Sequence, residues 1–376
     1  MVLNHKKVAI IGAGPVGLTM AVLLQQKGVE VNVYERDLNA QTRVWGGTLD
    51  LHKESGQKAM KKAGLLDQYY AIALPMGIKI VDEQGNTLFT KEITPENQHD
   101  NPEINRNHLR EMLLGSLADD TIIWDMNFIG MEENDGQWQL HFKDKPAVTA
   151  DLVIGANGGM SKVRRYVTEA EVEETGTFII QGDIPQPEKS CPEFFNWCDG
   201  KRPMTAFEGN LLVANPYNNG AMTYGVIFKK PEEWEDGCTL DFQNTEQIRR
   251  FLAERFSSWS GLYQQLFNST SFFVGLPTRK IPLDKPWKNN RSLPVTLIGD
   301  AAHLMPPFAG QGVNTGLLDA LILSENLTKG KYATLSEAIE AYEKEMFMYA
   351  KEAQLESSEN ELEMRDANFS FTSFIQ

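Results

Sequence analysis

The chain has 376 residues, with 36 Lys and Arg against 51 Asp and Glu for a formal charge of −15; 41% of residues are hydrophobic and 23% charged. At roughly 100–200 residues per domain, that length allows two or three domains with sizeable cores, and the composition excludes wholesale disorder. The acidic balance argues against a nucleic-acid partner. The three cysteines, Cys191, Cys198 and Cys238, suit neither a disulfide framework nor a zinc site, so a reduced, cytoplasmic compartment is expected.

His5-Lys6-Lys7 precedes an uncharged run, Val8 to Leu24, with the outline of a signal peptide. Gly12, Gly14, Pro15 and Gly17 would break a helical span in its middle, and no cleavage pattern follows. Neither secretion nor membrane insertion is therefore expected. Lys7–Ile11 reads instead as a buried parallel strand, Gly12-Ala13-Gly14-Pro15-Val16-Gly17 as a turn, Leu18 to Gln26 as a helix and Val29 to Glu35 as a second strand. In such a unit Gly12 permits the tight turn, Gly14 lets the backbone approach a pyrophosphate, and Gly17 lets the helix pack on the strand. The helix N-terminus supplies free N–H groups and the positive end of the dipole. Glu35 closes the second strand, where a carboxylate accepts hydrogen bonds from a ribose 2′-OH and repels a 2′-phosphate. The resident nucleotide is then FAD or NAD rather than NADP. Arg36 either stacks on the adenine or sits in solvent.

Asn105 reads as the N-cap of a helix over Arg106–Leu117. A cation in the first helical turn is disfavoured by the macrodipole, so Arg106 is either a surface residue or one that reaches toward a bound anion or aromatic ring. Thr177–Asp183, Leu211–Asn215 and Met222–Lys229 read as antiparallel strands. With the aromatic stretches at Phe194-Phe195 and Phe272-Phe273 they would form a sheet covering one side of the bound cofactor. Arg202 binds an anionic substrate or lies on the surface.

Val295–Ile298 reads as a strand followed by Gly299-Asp300-Ala301-Ala302-His303, Pro306-Pro307 and Gly310-Gln311-Gly312, with a helix from Leu317 to Leu327. Asp300 at the mouth of this loop suits a sugar or ribityl hydroxyl, and the helix start at Gly312–Val313 would stabilise negative charge on a bound ring. His303 reads as a packed or capping residue rather than a base. Two glycine-rich sites so far apart in the chain suggest one long cofactor held at both ends, which FAD fits better than NAD. Leu335 to about Asp366 reads as a long amphipathic helix, with Ile339, Tyr342, Met346, Tyr349 and Ala353 at helical spacing and Glu340–Lys344 as an i,i+4 pair.

Three stretches resemble the fingerprints of the single-component flavoprotein aromatic hydroxylases: Gly12–Gly17, Gly155-Ala156-Asn157-Gly158-Gly159-Met160-Ser161 with Val163-Arg164, and Gly299-Asp300 through Gly312. Within that family the runs 46–52, 101–107 and 301–314 look most like the tetracycline-inactivating members. The resemblance implies an α/β fold. A Rossmann-type FAD-binding domain (1–70, 101–170 and 275–325) is interleaved with an antiparallel-sheet substrate domain (71–100 and 171–274), and a bridging helix follows over 335–366. It implies non-covalent FAD, reduced by NADPH that visits and leaves. Oxygen from O2 then passes to a tetracycline-like polyketide through a flavin C4a-hydroperoxide, inactivating the antibiotic, with no metal and no catalytic side chain. Carried across residue by residue, Asp50, Arg106 and Asp300 contact FAD beside Gly310, Gly312 and Val313, and Arg43 assists NADPH. Gln181 and Arg202 meet the substrate's polar edge, and Asn360 and Met364, one turn apart at the far end of the long helix, match substrate-side positions. Asn157 stands where the family usually has aspartate. Thr223 and Val213 stand where histidine and phenylalanine are expected in the tetracycline-inactivating members, and these two departures bear on substrate identity. The expected assembly is a monomer. The alternatives are a sister hydroxylase for another aromatic or polyketide substrate, and a flavin-binding, drug-sequestering protein without turnover.

Overall fold

A computed structural model of the chain describes residues 2–42, 46–234, 237 and 239–375. Val8–Ile11 is apolar throughout, and all four of its residues are buried in the middle of a five-stranded sheet. The strand order is Val295–Leu297, Leu152–Gly155, Val8–Ile11, Val31–Tyr34 and Ile122–Ile123, and every pairing is parallel. Strands covered on both faces read as continuous apolar runs, and Val8–Ile11, Val31–Tyr34 and Val295–Leu297 were visible in the sequence for that reason, whereas Leu152–Gly155 and the two-residue Ile122–Ile123 were not read as strands. The helices Pro15–Gln25 and Gly312–Thr328 pack on each other, and Leu335–Met364 packs on the second of them. The loops after Ile11, Tyr34, Gly155 and Leu297 all leave from the carboxyl edge of the sheet, where open α/β sheets bind ligands.

A second sheet of seven strands runs Phe272–Lys280, Glu173–Pro185, Ala221–Lys229, Asn210–Asn218, Arg202–Phe207, Ile78–Val81, Thr87–Lys91. The expected strands at 177–183, 211–215 and 222–229 lie inside longer ones. The sheet is antiparallel with one exception: Ile78–Val81 runs parallel to Arg202–Phe207. That strand arrives from far earlier in the chain, so no hairpin sets its direction. Alternation gives the sheet two unlike faces. Phe178, Ile180, Leu212, Ala214, Tyr224, Val226 and Phe228 point to one side, where they form a core with the helices Pro192–Cys198, Thr245–Arg255 and Gly261–Ser269. The register places Gln181, Arg202, Val213 and Thr223 together on the other side.

The long helix spans Leu335–Met364. It starts on a capping box: Thr334 Oγ1 accepts from the Glu337 N–H at 3.2 Å, and the Glu337 carboxylate accepts from the Thr334 N–H at 3.4 Å. Ile339, Tyr342, Met346 and Ala353 are buried as the spacing predicts, and the Tyr342 hydroxyl donates to Leu297 O at 3.0 Å. Truncating Met346 to alanine would cost about 2–5 kcal/mol, the range for a buried Leu, Ile or Met. Glu340 and Lys344 do not pair; both border a surface crevice beside Trp287. The helix from Arg106 ends at Leu114, short of the expected Leu117, because the chain turns at Gly115. Among the described residues no helix is long and apolar enough to cross a membrane.

Candidate functional site

Along the carboxyl edge of the parallel sheet runs a cleft of about 610 Å³. It is lined by Gly12, Gly14, Pro15, Glu35, Arg36, Arg110 and Asn157, and by Asp50, Arg106, Asp300, Gly310, Gly312 and Val313. Gly12 has φ +109°, and a Cβ there would lie 2.6 Å from Ala156 O. A Cβ on Gly17 would lie 2.2 Å from Gly12 O, so the helix can approach the turn only as glycine. Gly14 is different: its φ is −75°, and a Cβ would meet nothing within 4 Å. The space above it is an open cradle. Glu35 accepts from the Ala13 N–H at 2.6 Å and the Asp37 N–H at 3.0 Å, which fixes its carboxylate at the rim.

The helix Pro15–Gln25 begins without a side-chain cap, and so does Gly312–Thr328. Asn105, Asn244, Ser260 and Thr334 cap their helices, while Gly56–Ala63, Leu66–Ile72 and Pro192–Cys198 also begin without a side-chain cap. What sets the N-termini at Pro15 and Gly312 apart is that both open on the same cleft, leaving backbone N–H groups and two positive dipole ends for a ligand. Asp300 presents its carboxyl to the open cleft, a Cβ on Gly312 lying 3.8 Å from its Oδ1. Desolvation by the surrounding protein raises the Asp300 pKa against the opposing charges of His303, Arg106 and Arg164. Arg106 donates from Nε to Gly47 O at 2.9 Å; burial lowers its pKa and the charge of Asp300 opposes that. Arg164 ties the loop at Gly159 to Ala301, and burial brings it down to about 10.

The loop carrying Asp300 is held from behind. Asp319 accepts from the Gly299 N–H at 2.7 Å, from His303 Nε2 at 2.7 Å and from the Tyr349 hydroxyl at 2.6 Å. His303 and Asp319 are fully buried, which agrees with a packed histidine and removes His303 from any role as a solvent-facing base.

Asp50 and His52 form a pair at 3.2 Å, each side chain less than a third exposed. The hydrogen bond to Asp50 raises the His52 pKa above its ordinary 6.5, outweighing partial burial. Burial pushes Asp50 up, but the hydrogen bond and charge of His52, with Arg202 and Asn101, hold it below its ordinary 3.8. The pair's stabilisation is therefore complete between these two ordinary values. It is lost as pH rises through the raised His52 pKa, and as pH falls through the lowered Asp50 pKa. An NMR titration of the apoprotein should give His52 a pKa above 6.5 that falls back toward about 6.5 in Asp50→Asn; a wild-type value without the shift would remove the pair.

On the face of the seven-stranded sheet opposite the helices, Arg202 is engaged by the buried Glu103, which also accepts from Thr48 Oγ1. Asn215 donates to Thr48 Oγ1 at 2.6 Å, so this network links the sheet to the cleft that Thr48 lines. Thr223 is buried and accepts from Asn218 Nδ2 at 2.7 Å; Asn218 accepts in turn from Asn105 Nδ2 at 2.6 Å. Gln181 lies near Asp183, Nε2 to Oδ1 3.5 Å. Asn360 donates to Phe308 O at 3.2 Å, and Val213 and Met364 belong to one apolar cluster. Arg43 lies outside the described residues, as does Cys238.

Thr48, Glu103 and Asn215, which join the network above, were missed by the sequence reading, and so were Arg110 and Asn314. Arg110 lines the cleft and pairs with Asp37 at 2.8 Å. Its signal was present, since it stands one helical turn after Arg106 and shares that face. Asn314 donates to Asp50 O at 2.9 Å and Gly310 O at 3.0 Å, and accepts from the His52 N–H at 2.8 Å. Nothing local distinguishes it, because its partners lie more than 260 residues away in the case of Asp50.

The arrangement suits an extended ligand that carries negative charge along its length and hydroxyls that Glu35 and Asp300 can accept from. A family model described as the FAD binding domain matches residues 5–355, and the chain belongs to that family. Monooxygenase penA of Penicillium thymicola is 28% identical over 405 residues, covering 92% of this chain and 92% of that protein. HpxO of Klebsiella pneumoniae, solved with FAD and uric acid, has a TM-score of 0.80 at 21% identity, covering 97% of this chain and 90% of that one. Tetracycline destructase Tet(55) has a TM-score of 0.76 at 22% identity, covering 96% and 90%. The two structural likenesses establish the shared fold alone. The family and its monooxygenase relatives make the chain a flavoprotein monooxygenase.

Proposed function

We propose that the protein is an NADPH-consuming hydroxylase of electron-rich polyketides of the tetracycline type, acting in the cytoplasm as a monomer. The observation that carries this reading is the junction of the cleft with the polar sheet face through Thr48, Asn215, Glu103 and Arg202. Residues 1–70, 101–170 and 275–325 would hold FAD, 71–100 and 171–274 the substrate, and 335–366 would bridge them. Gly12 and Gly14 receive the pyrophosphate at the N-terminus that Gly17 lets pack against the turn, Glu35 receives the adenosine ribose, and Arg36 and Arg110 flank the adenine end. Asp300 accepts from a flavin-side hydroxyl, and Gly310, Gly312 and Val313 offer the second N-terminus to the ring, with Asp50 and Arg106 beside it. Bound FAD supplies the redox chemistry, taking a hydride from NADPH and activating O2 for transfer of one oxygen atom. The protein's part is to orient the substrate through Gln181, Arg202 and Thr223 and to exclude water with the Pro306–Phe308 loop, which Asn360 fastens.

The test is to mix holoprotein anaerobically with NADPH, follow bleaching of the flavin, then admit air with tetracycline and weigh the product. A gain of one oxygen atom is expected. NADPH oxidation that releases only peroxide would reject tetracycline as substrate while leaving the oxidase chemistry in place. A second reading, hydroxylation of a compact aromatic ring, is favoured by one observation: Phe308, Phe369 and Phe371 fill the apolar part of the same sheet face.

A further inference from the structure

The crevice beside Trp287 has a volume of about 330 Å³ and shares no lining residue with the cleft described above. It lies between the segment 283–291, which precedes the strand Val295–Leu297, and one face of the long helix Leu335–Met364. Glu340, Lys344, Phe347 and Lys351 recur at helical spacing and make up that face. Trp287, from the segment, meets Phe347 edge to face, with ring centroids 5.3 Å apart and planes at 69°. Trp287 is buried and Phe347 half-buried, and Lys351 Nζ lies 5.4 Å from the centre of the Phe347 ring.

The walls are fastened. Lys288 donates from its backbone N–H to Val167 O at 2.8 Å and from Nζ to Arg165 O at 2.7 Å. Arg291 holds Glu343 of the helix through two hydrogen bonds of 2.7 and 2.6 Å, and donates to Val295 O at 2.9 Å. Such a two-pronged pair fixes the segment against the helix. The charge in the crevice is also uneven. Five cations and three carboxylates line it, in a chain whose formal charge is −15. Lys288 pairs with Glu169 and Arg291 with Glu343. Lys285, Lys344 and Lys351 are exposed and, among the described residues, carry no ion pair. Aromatic side chains beside uncommitted ammonium groups favour a ring that carries an anion.

We propose that this crevice is a second binding site, separate from the flavin cleft, for a compact phenolic acid. The ring packs against Trp287 and Phe347. Its carboxylate or sulfonate meets Lys344 and Lys351, which stand one turn to either side of Phe347 along the helix. Asp284 and Glu340, both exposed, accept from the ring hydroxyl and repel a second negative group, so the site selects a monoanion. The volume is at the lower end of the roughly 300–1,000 Å³ of small-molecule sites, which suits a single ring. The site stands whether or not the hydroxylase reading holds, because none of its residues belongs to that cleft.

The experiment is calorimetric titration of FAD-loaded protein at neutral pH with 4-hydroxybenzenesulfonate, and with the uncharged 4-hydroxybenzenesulfonamide beside it. The proteins are wild type, Lys344→Gln with Lys351→Gln, and Phe347→Ala, and the flavin absorbance is followed in parallel. Wild type should bind the sulfonate at least tenfold more tightly than the sulfonamide, without a change in the flavin spectrum. The lysine double variant should lose most of that preference by weakening the sulfonate alone. Phe347→Ala should weaken both ligands severalfold; Phe347→Leu keeps an apolar filler should the alanine variant not fold, and should weaken both by a smaller factor. Both lysines are exposed, so their variant should keep the wild-type melting temperature and rate of flavin bleaching by NADPH. Equal affinity of wild type for the two probes overturns the proposal, as does a sulfonate Kd unchanged in the lysine variant. So does the absence of saturable binding, or binding that appears only together with a flavin spectral change, which would place the probe in the cleft.

Discussion

A Gly14→Asp protein is expected to fold at least as stably as wild type in the absence of flavin, and to be colourless. Gly14 has φ −75° and ψ 174°, an extended conformation that any residue adopts, and a Cβ there touches nothing in the protein. It is also the N-cap of Pro15–Gln25, which has no side-chain cap. Aspartate is among the best N-caps, and in place of a glycine cap it is worth only a few tenths of a kcal/mol. The same carboxylate fills the cradle and places negative charge where a pyrophosphate would sit. Flavin affinity should fall by more than about 1000-fold, or ~4 kcal/mol. Thermal melting of apoprotein and flavin-fluorescence titration measure the two effects independently. A yellow Gly14→Asp protein would show that the pyrophosphate does not occupy the cradle. Gly17→Ala, by contrast, should unfold the turn, since its methyl group would lie 2.2 Å from Gly12 O.

Asp300→Ala should lose flavin without losing the fold. The loop is fastened through its backbone, by Gly299 N–H to Asp319 and Arg164 to Ala301 O, and neither bond involves the Asp300 side chain. What disappears is an acceptor facing the cleft. A hydrogen bond to a charged group contributes about 1.5–3 kcal/mol, which corresponds to roughly 10–150-fold in Kd. Asp300→Asn should recover part of that, since the amide oxygen still accepts. Lys61→Ala, on the exposed face of the helix Gly56–Ala63, is the silent control. Reconstitution of apoprotein with FAD gives the three constants. Equal small effects at positions 300 and 61 would mean that the acceptor role belongs elsewhere.

Whatever depends on a few neighbouring residues was legible in the chain itself. The Val8–Ile11 strand, the Gly12–Gly17 turn and the helix behind it are dictated by apolar periodicity and by positions where a side chain is sterically forbidden. The Asn105 cap and the Thr334–Glu337 capping box mark their helices in the same local way. The alternation of residues 177–183, 211–215 and 222–229 identified strands and, through period two, which residues could share a face. Pairing decided the rest. That the bare N-termini at Gly14 and Gly312 open on one cleft follows from Val295–Leu297 and Val8–Ile11 flanking Leu152–Gly155 in the sheet. That Ile78–Val81 joins Arg202–Phe207 in parallel, that Glu103 takes Arg202, and that Phe371 settles on the sheet follow from contacts about 100 residues apart or more, as in the Arg202–Glu103 pair. No short-range signal encodes such partners. Each is chosen because the whole set of apolar faces is buried together, and the free energy of that burial is a property of the assembled layers rather than of any one segment.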